Sequence, residues 1–308
     1  MQKTVLVLGA TGRFGRHAAD AFWNAGWTVR LFDRTQDDLV TQAMGADVIV
    51  AAWNPPFHQW TAQLPRLHAR VREAARASGA AVLLPGNIHV YDPDTPAPWS
   101  EGTPHSPRTS LGRLRARIEQ EYRDSDVQTI LLRAGDFMDT EASDGWFDRV
   151  LMSRLRHGRL VYPGDTATVH SWAYLPDLAR AAEQLARRKP ELDRFEEVVF
   201  PGYAMTAQQI ADLLSRISGR TVTARRMAWL PLYLSAPVWP LARGLIALRG
   251  QWDVTCDLQS DRLAELCPEY RDTPVEEAVS RIARPWLATS RVRCRPCYFT
   301  TRSTQTNL

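Results

Sequence analysis

The sequence predicts an α/β fold: a doubly wound parallel sheet followed by a smaller, mixed C-terminal lobe. Three observations carry this. A short apolar run near the start is followed by glycines at 9, 12 and 15. Apolar runs then alternate with segments of helical spacing as far as about residue 135. Beyond that point the pattern loses its regularity.

The opening run, Thr4 to Leu8, reads as a buried strand. Gly9 frees the turn that leaves it, and Gly12 removes the Cβ that would keep a backbone away from a pyrophosphate. Gly15 lets the next helix, with Phe14, Ala18 and Phe22 on one face, sit close to the sheet. The free N–H groups and positive dipole end of that helix suit phosphate oxygens. The turn therefore predicts a bound dinucleotide.

Trp27 to Phe32 reads as the second strand, ending at Asp33-Arg34, and Thr35 is placed as the cap of a short helix through Met44. Ala46 to Ala52 is the next strand, closed by Trp53-Asn54-Pro55-Pro56. Residues 58–78 carry Trp60, Leu64, Leu67, Val71 and Ala75 at helical spacing and stop at Gly79. A strand from Ala80 to Leu84, a proline-rich loop from Gly86 to Pro107, a helix from about Ser110 to Arg123 and a strand from Val127 to Leu132 follow. Between Arg34 and Asp47 there is room for one helix only, so the strand that usually lies outside strand two is expected to be missing. Later come helices at Trp146–Leu155, Leu175–Arg187 and Ala207–Ser218 and a strand at Glu197–Phe200. The expected division is a dinucleotide core at 1–135, with sheet elements returning from about 165–200, a substrate lobe at 136–288, and a disordered tail at 289–308.

Composition excludes several classes. The chain has 308 residues, 44% of them hydrophobic, enough for a large core. Its net charge of +4 is local, because four arginines and no acid fall within 289–308; the remaining 34 basic residues balance the 34 acidic ones. That is no footprint for nucleic acid. Four cysteines in so long a chain make no disulfide framework, and Cys294-Arg-Pro-Cys297 lacks a second ligand pair, so no metal is expected. No signal peptide precedes the first strand, and a cytoplasmic protein is expected. The stretch from Met227 to Leu248 is rich in aromatic residues, but three prolines and Arg243 argue against an integral membrane span. It reads as core or lid packing; a homodimer interface is left open.

Five pieces together resemble the extended short-chain dehydrogenase/reductase superfamily, in its NAD-dependent epimerase/dehydratase branch, over roughly residues 1–285. They are Gly9-Ala-Thr-Gly12-Arg-Phe-Gly15, Asn87-Ile-His-Val-Tyr91, Leu111-Gly-Arg-Leu-Arg115, Leu132-Arg-Ala-Gly-Asp136 and His170-Ser-Trp-Ala-Tyr-Leu-Pro-Asp177. The resemblance implies a Rossmann-type fold, an NADP or NAD cofactor and a small or sugar-like carbonyl or alcohol as substrate. It also implies a Ser or Thr, then a Tyr and a Lys four residues apart, with the Tyr as acid or base. Here Asn87 falls at the Ser position, Leu111 at the Tyr position and Arg115 at the Lys position. A leucine transfers no proton, so the chain resembles an atypical member.

Candidate catalytic residues are accordingly Asn87, Tyr91 and Arg115, with His89 and Asp136 as further proton donors at strand ends; Tyr91 reads equally as a packing residue, the role the resemblance implies for a Tyr after Val90. Arg115 lies within the apolar stripe of Leu111, Leu114, Ile118 and Tyr122, where a guanidinium needs partners that a cofactor ribose or phosphate would supply. Asn87 either faces a ligand or caps its own turn. His170 and Asp177 read as structural. The candidate cofactor-binding set is Gly9, Thr11, Gly12, Arg13, Phe14, Gly15, Asp33, Arg34, Ala52, Asn54, Asn87 and Arg115. Asp33 favours NAD through ribose hydroxyls, while Arg13 and Arg34 favour NADP through its 2′-phosphate. Two functions stay open: an oxidoreductase or epimerase with a non-standard acid, or a non-catalytic redox sensor or regulatory or assembly factor, which resembles the nitrogen-metabolite-repression regulators of the same superfamily.

Overall fold

All five residues of β1 (Thr4–Leu8) are buried, as a strand covered on both faces requires. Val5 and Val7 enter one core with Phe14, Ala18 and Phe22, while Leu6 and Leu8 enter another with Trp60, Leu64 and Val71. The two-residue period of the strand thus sorts one apolar run into two layers. The computed structural model describes residues 2–141, 145–239, 242–243, 246 and 249–287.

Six parallel strands form the central sheet in the order β2 (Thr28–Phe32), β1, β3 (Val48–Ala51), β4 (Ala81–Gly86), β5 (Thr129–Ala134) and β9 (Phe195–Phe200). Helices α1 (Arg13–Asn24) and α5 (Leu175–Arg187) cover one face; α3 (Trp60–Ser78) and α4 (Ser110–Arg123) cover the other. The sheet ends at β2, so the missing outer strand read from the short 34–47 interval is indeed absent from it. One local expectation fails there. Thr35 caps no helix; its N–H and Oγ1–H donate to Asp33 Oδ1 at 2.9 and 2.7 Å in a turn of its own. Asp38 instead caps α2 (Leu39–Ala43) by accepting from Thr41 N–H at 2.8 Å.

The smaller part holds a three-stranded mixed sheet, β10 (Tyr203–Thr206), β8 (Val169–Tyr174) and β6 (Asp136–Met138), and a parallel pair, β11 (Thr223–Arg226) with β7 (Arg159–Tyr162). Thr206 and Gln209 close a capping box at α6 (Ala207–Ser218). A core of Phe147, Leu151, Trp172, Tyr162, Trp229 and Trp252 fills this part. The helix expected over Trp146–Leu155 is instead a five-residue wide turn, Phe147–Leu151, closed by Met152 N–H to Phe147 O at 2.9 Å, then a tight turn at Leu155–His157. Phe147, Val150, Leu151 and Met152 all lie inside.

In the aromatic segment, Trp229 is buried and donates to Pro163 O at 2.9 Å. The short helix α7 (Leu230–Ser235) that follows leaves Leu230 and Leu234 exposed. Among the described residues no helix is long and apolar enough to cross a membrane, and no group of side chains is placed to hold a metal. The expected tail at 289–308, with Cys294 and Cys297, lies outside the described residues.

Candidate functional site

Parallel strands deliver their carboxyl ends to one edge of the sheet, and there a cavity of about 1170 Å³ opens. The turn after β1 lines it with Gly9, Thr11, Gly12, Arg13 and Phe14. Gly9 has φ +75°, and a Cβ there would meet Ala52 O at 2.9 Å. A Cβ on Gly15 would sit 2.2 Å from Gly9 O. Gly15 is therefore a packing residue under the turn and does not line the cavity, which corrects its place in the cofactor-binding set. Gly12 differs from both. It begins α1 with no side chain capping the helix, and a Cβ on it meets only Gly9 O, at 3.1 Å. The glycine keeps clear the approach to open helix N–H groups, and this fits a phosphate.

At the far end of the cavity, Asp33, Arg34, Thr35 and Arg70 gather beyond β2. The Asp33 carboxylate is held below its ordinary value by its bonds from Thr35. Its Oδ1 is thereby occupied, while Arg34 stands exposed at the cavity wall.

Arg115 reaches the middle of the cavity. It is buried, its guanidinium lies 4.4 Å from the centre of the Trp60 ring, and it donates to Asn54 Oδ1 at 2.9 Å. Burial lowers its pKa to about 10, and its Nε–H has no partner. The stripe on α4 does aim this residue inward, as its spacing predicted. Leu111, at the position where a Tyr was sought, packs against the apolar core and is not part of the cavity wall.

Asn87 lines the cavity, yet its Oδ1 accepts from His89 N–H at 3.0 Å, so it caps its own turn. Tyr91 is the clear correction. Its ring is buried against Trp99, its hydroxyl lies 3.3 Å from Ser100 O, and it is absent from the cavity. Burial pushes its phenol well above the ordinary range. Val90-Tyr91 turns back under the proline-rich loop, and a Tyr there serves packing. The two further donors do reach the cavity. His89 has its pKa lowered to about 4, by burial first, and Gln251 faces its ring. Asp136, at the start of β6, lines the same wall.

Sequence reasoning passed over Arg133. It is fully buried in β5, donating to Glu119 Oε2 and Glu197 Oε1, each at 2.7 Å, and to Asn87 O at 2.5 Å. His105 Nε2 lies 3.4 Å from Glu197 Oε1, tying the proline-rich loop to the same network. The available signal was an arginine inside a strand whose other residues are apolar or Thr. Asp177, read as structural, accepts from Thr273 N–H and Oγ1–H at 2.6 and 2.7 Å and anchors that segment.

Fold and glycine turn together define a Rossmann-type protein. Solved structures with this fold include a UDP-glucose 4-epimerase from Brucella ovis in complex with NAD. It is 17% identical, with a TM-score of 0.71 over 92% of this chain and 98% of that one. MoeE5 in complex with UDP-glucose and NAD matches at 16% identity and a TM-score of 0.69, over 92% and 98%. A UDP-galactose 4-epimerase matches at 20% and 0.66, over 91% and 97%. No family model and no curated protein matches the sequence. At these identities the likeness is one of fold.

Proposed function

We propose that the chain is an NAD(P)-dependent epimerase or oxidoreductase acting on a small or sugar-like secondary alcohol or carbonyl, without the Tyr–Lys pair. The observation that carries this reading is the open cradle at Gly12, at the head of a cavity larger than an ordinary small-ligand pocket. Backbone N–H groups at the start of α1 hold the diphosphate. Arg115, propped by Trp60 and Asn54, holds a ribose hydroxyl or phosphate where the resembling family uses Lys. Arg34 and Arg13 favour the 2′-phosphate of NADP; Asp33, with one oxygen spent on Thr35, is a weakened claim for NAD. When bound, the nicotinamide supplies a hydride acceptor or donor. His89 and Asp136 are the chain's own groups for the accompanying proton. The fold neighbours that carry UDP-sugars support a sugar nucleotide as the first substrate to try.

One observation favours a second reading, a cofactor-binding sensor or regulatory factor without turnover: Leu111 stands where the proton donor is sought. Calorimetry with NAD(H) and NADP(H) tests the binding. Turnover on UDP-glucose, UDP-glucuronic acid and a panel of aldehydes and ketones separates the readings. Micromolar cofactor binding with turnover supports the enzyme, and binding alone supports the sensor. No heat with any of the four dinucleotides overturns both.

A further inference from the structure

Behind Asp136 the protein buries three polar atoms that the fold does not use. His170, on β8, is 1% exposed, and neither ring nitrogen makes a hydrogen bond among the described residues. Its Nδ1 faces Asp136 Oδ2 at 3.4 Å. Tyr162, on β7, is fully buried, its hydroxyl has no partner, and its ring centre lies 5.8 Å from that of His170. Each unpaired polar atom in a core keeps an uncompensated desolvation penalty, and apolar residues of the same size would remove it. Asp136 itself is half-buried and lines the cavity, with the His170 ring behind it.

We propose that Asp136 is the proton-handling base of the cavity and that His170 is its positioning residue. The inference rests on the enzyme reading above. When the 3.4 Å approach closes, His170 Nδ1–H donates to Oδ2, which fixes the imidazole tautomer and turns Oδ1 toward the ligand. The 3.4 Å approach is of the kind that tightens when a ligand binds. In the oxidising direction the substrate O–H bond breaks and its proton passes to the Asp136 carboxylate. The C–H bond breaks with its electron pair leaving as hydride to an oxidised nicotinamide, which is reduced, and the C=O bond forms. Reduction reverses each transfer.

The charged and titratable groups around Asp136 come from four elements: His89 from the turn after β4, His170 from β8, Tyr162 from β7 and Cys256 from the strand-like segment that bridges to His170. Arg115 acts on His89 from the opposite wall. Burial favours neutral Tyr162 and neutral Cys256.

Two measurements test the pair, both on the full chain. The first is the imidazole nitrogen spectrum of the apo protein, recorded across about pH 5–9 for the parent and for D136N. The expected result is a single His170 tautomer, protonated at Nδ1, that D136N converts to a mixture. Superimposable His170 signals in the two proteins overturn the proposal. The second is the turnover assay. D136N is expected to lower kcat by about 10²–10⁴-fold with KM and dinucleotide affinity held within about threefold. H170Q is expected to lower kcat by about tenfold while shifting the pH profile. A His170 that serves packing alone would lower thermal stability and leave the profile of the folded fraction in place, and that outcome removes it from the site. Y162F serves as the conservative companion if H170Q fails to fold; with Asp136 and His170 intact it should keep the Nδ1 tautomer. Failed dinucleotide binding by the parent overturns the enzyme reading, whereas the apo spectrum still decides whether the pair exists.

Discussion

Replacing Arg133 with Met isolates what ties the proline-rich loop to the sheet. In the parent, one fully buried guanidinium pairs with both Glu119 and Glu197, which are 6% and 8% exposed. Removing one partner of a buried ion pair costs about 3–5 kcal/mol, because the remaining charge keeps its desolvation penalty. At roughly 2–4 °C per kcal/mol, R133M should melt about 6–20 °C below the parent at pH 7.5. The pH dependence gives the sharper test. Burial pushes the Glu197 carboxyl up, but the His105 bond and the Arg133 charge outweigh it and hold the group at about 2. A depressed carboxylate contributes stability that is complete above its unfolded value near 4.5 and is lost as pH falls through about 2. The displacement corresponds to about 3 kcal/mol. Without Arg133 the same burial raises the carboxyl, so protonation relieves the variant. The gap in denaturant unfolding free energy between parent and R133M should therefore be largest near pH 7.5 and shrink toward pH 4. A gap that stays constant or widens on acidification would refute the reasoning, as would an R133M/E119Q/E197Q variant no more stable than R133M. Because Arg133 also holds Asn87 O, R133M should weaken dinucleotide binding in calorimetry.

Other perturbations separate the cradle from the scaffold. G12V should abolish dinucleotide binding by calorimetry at a modest cost in melting temperature, since a Cβ there crowds Gly9 O at 3.1 Å. R115A should weaken cofactor affinity by about tenfold, as loss of one charged hydrogen bond predicts, and N87A by less; equal affinities in both variants and the parent would remove Arg115 from the site. R34A should lower the NADPH-to-NADH affinity ratio by about tenfold or more, and an unchanged ratio would place the 2′-phosphate elsewhere. His68 is buried with its pKa lowered to about 3, chiefly by burial, so its stability contribution is complete above its unfolded value near 6.5 and is lost as pH falls through about 3. H68L should consequently gain on the parent by about 3 kcal/mol between pH 7 and pH 4 in denaturant titrations.

The parallel core was legible because its signals are local. Periodicity marked α1, α3 and α4, the apolar run Ile130-Leu131-Leu132 marked β5, and the short 34–47 interval marked the strand that is absent. The glycine turn was legible down to the separate duties of Gly9 and Gly15, since a positive φ and a close backbone contact each demand the missing Cβ. Arg115 was legible for a similar reason, as a charge on an apolar stripe. Tyr91 was misplaced because a residue's position in sequence does not say which way a loop turns. Its ring follows the turn capped by Asn87 back under Trp99. The Asp136–His170–Tyr162 cluster unites three strands that sequence spacing does not connect, and only their pairing in space makes an unremarkable loop Asp and strand His into neighbours.

The shortened connection after β2 also exposes the sheet to its own chemistry. The outer backbone groups of Thr28–Phe32 have no strand to receive them, and such a margin is a template on which another extended chain can grow. Arg30 stands guard there by donating to Met44 O at 2.7 Å and Gln42 O at 3.3 Å, pinning the neighbouring turn against the margin. If that tether loosens on heating or crowding, fibril-like association should begin at β2, well before the buried centre of the sheet comes apart.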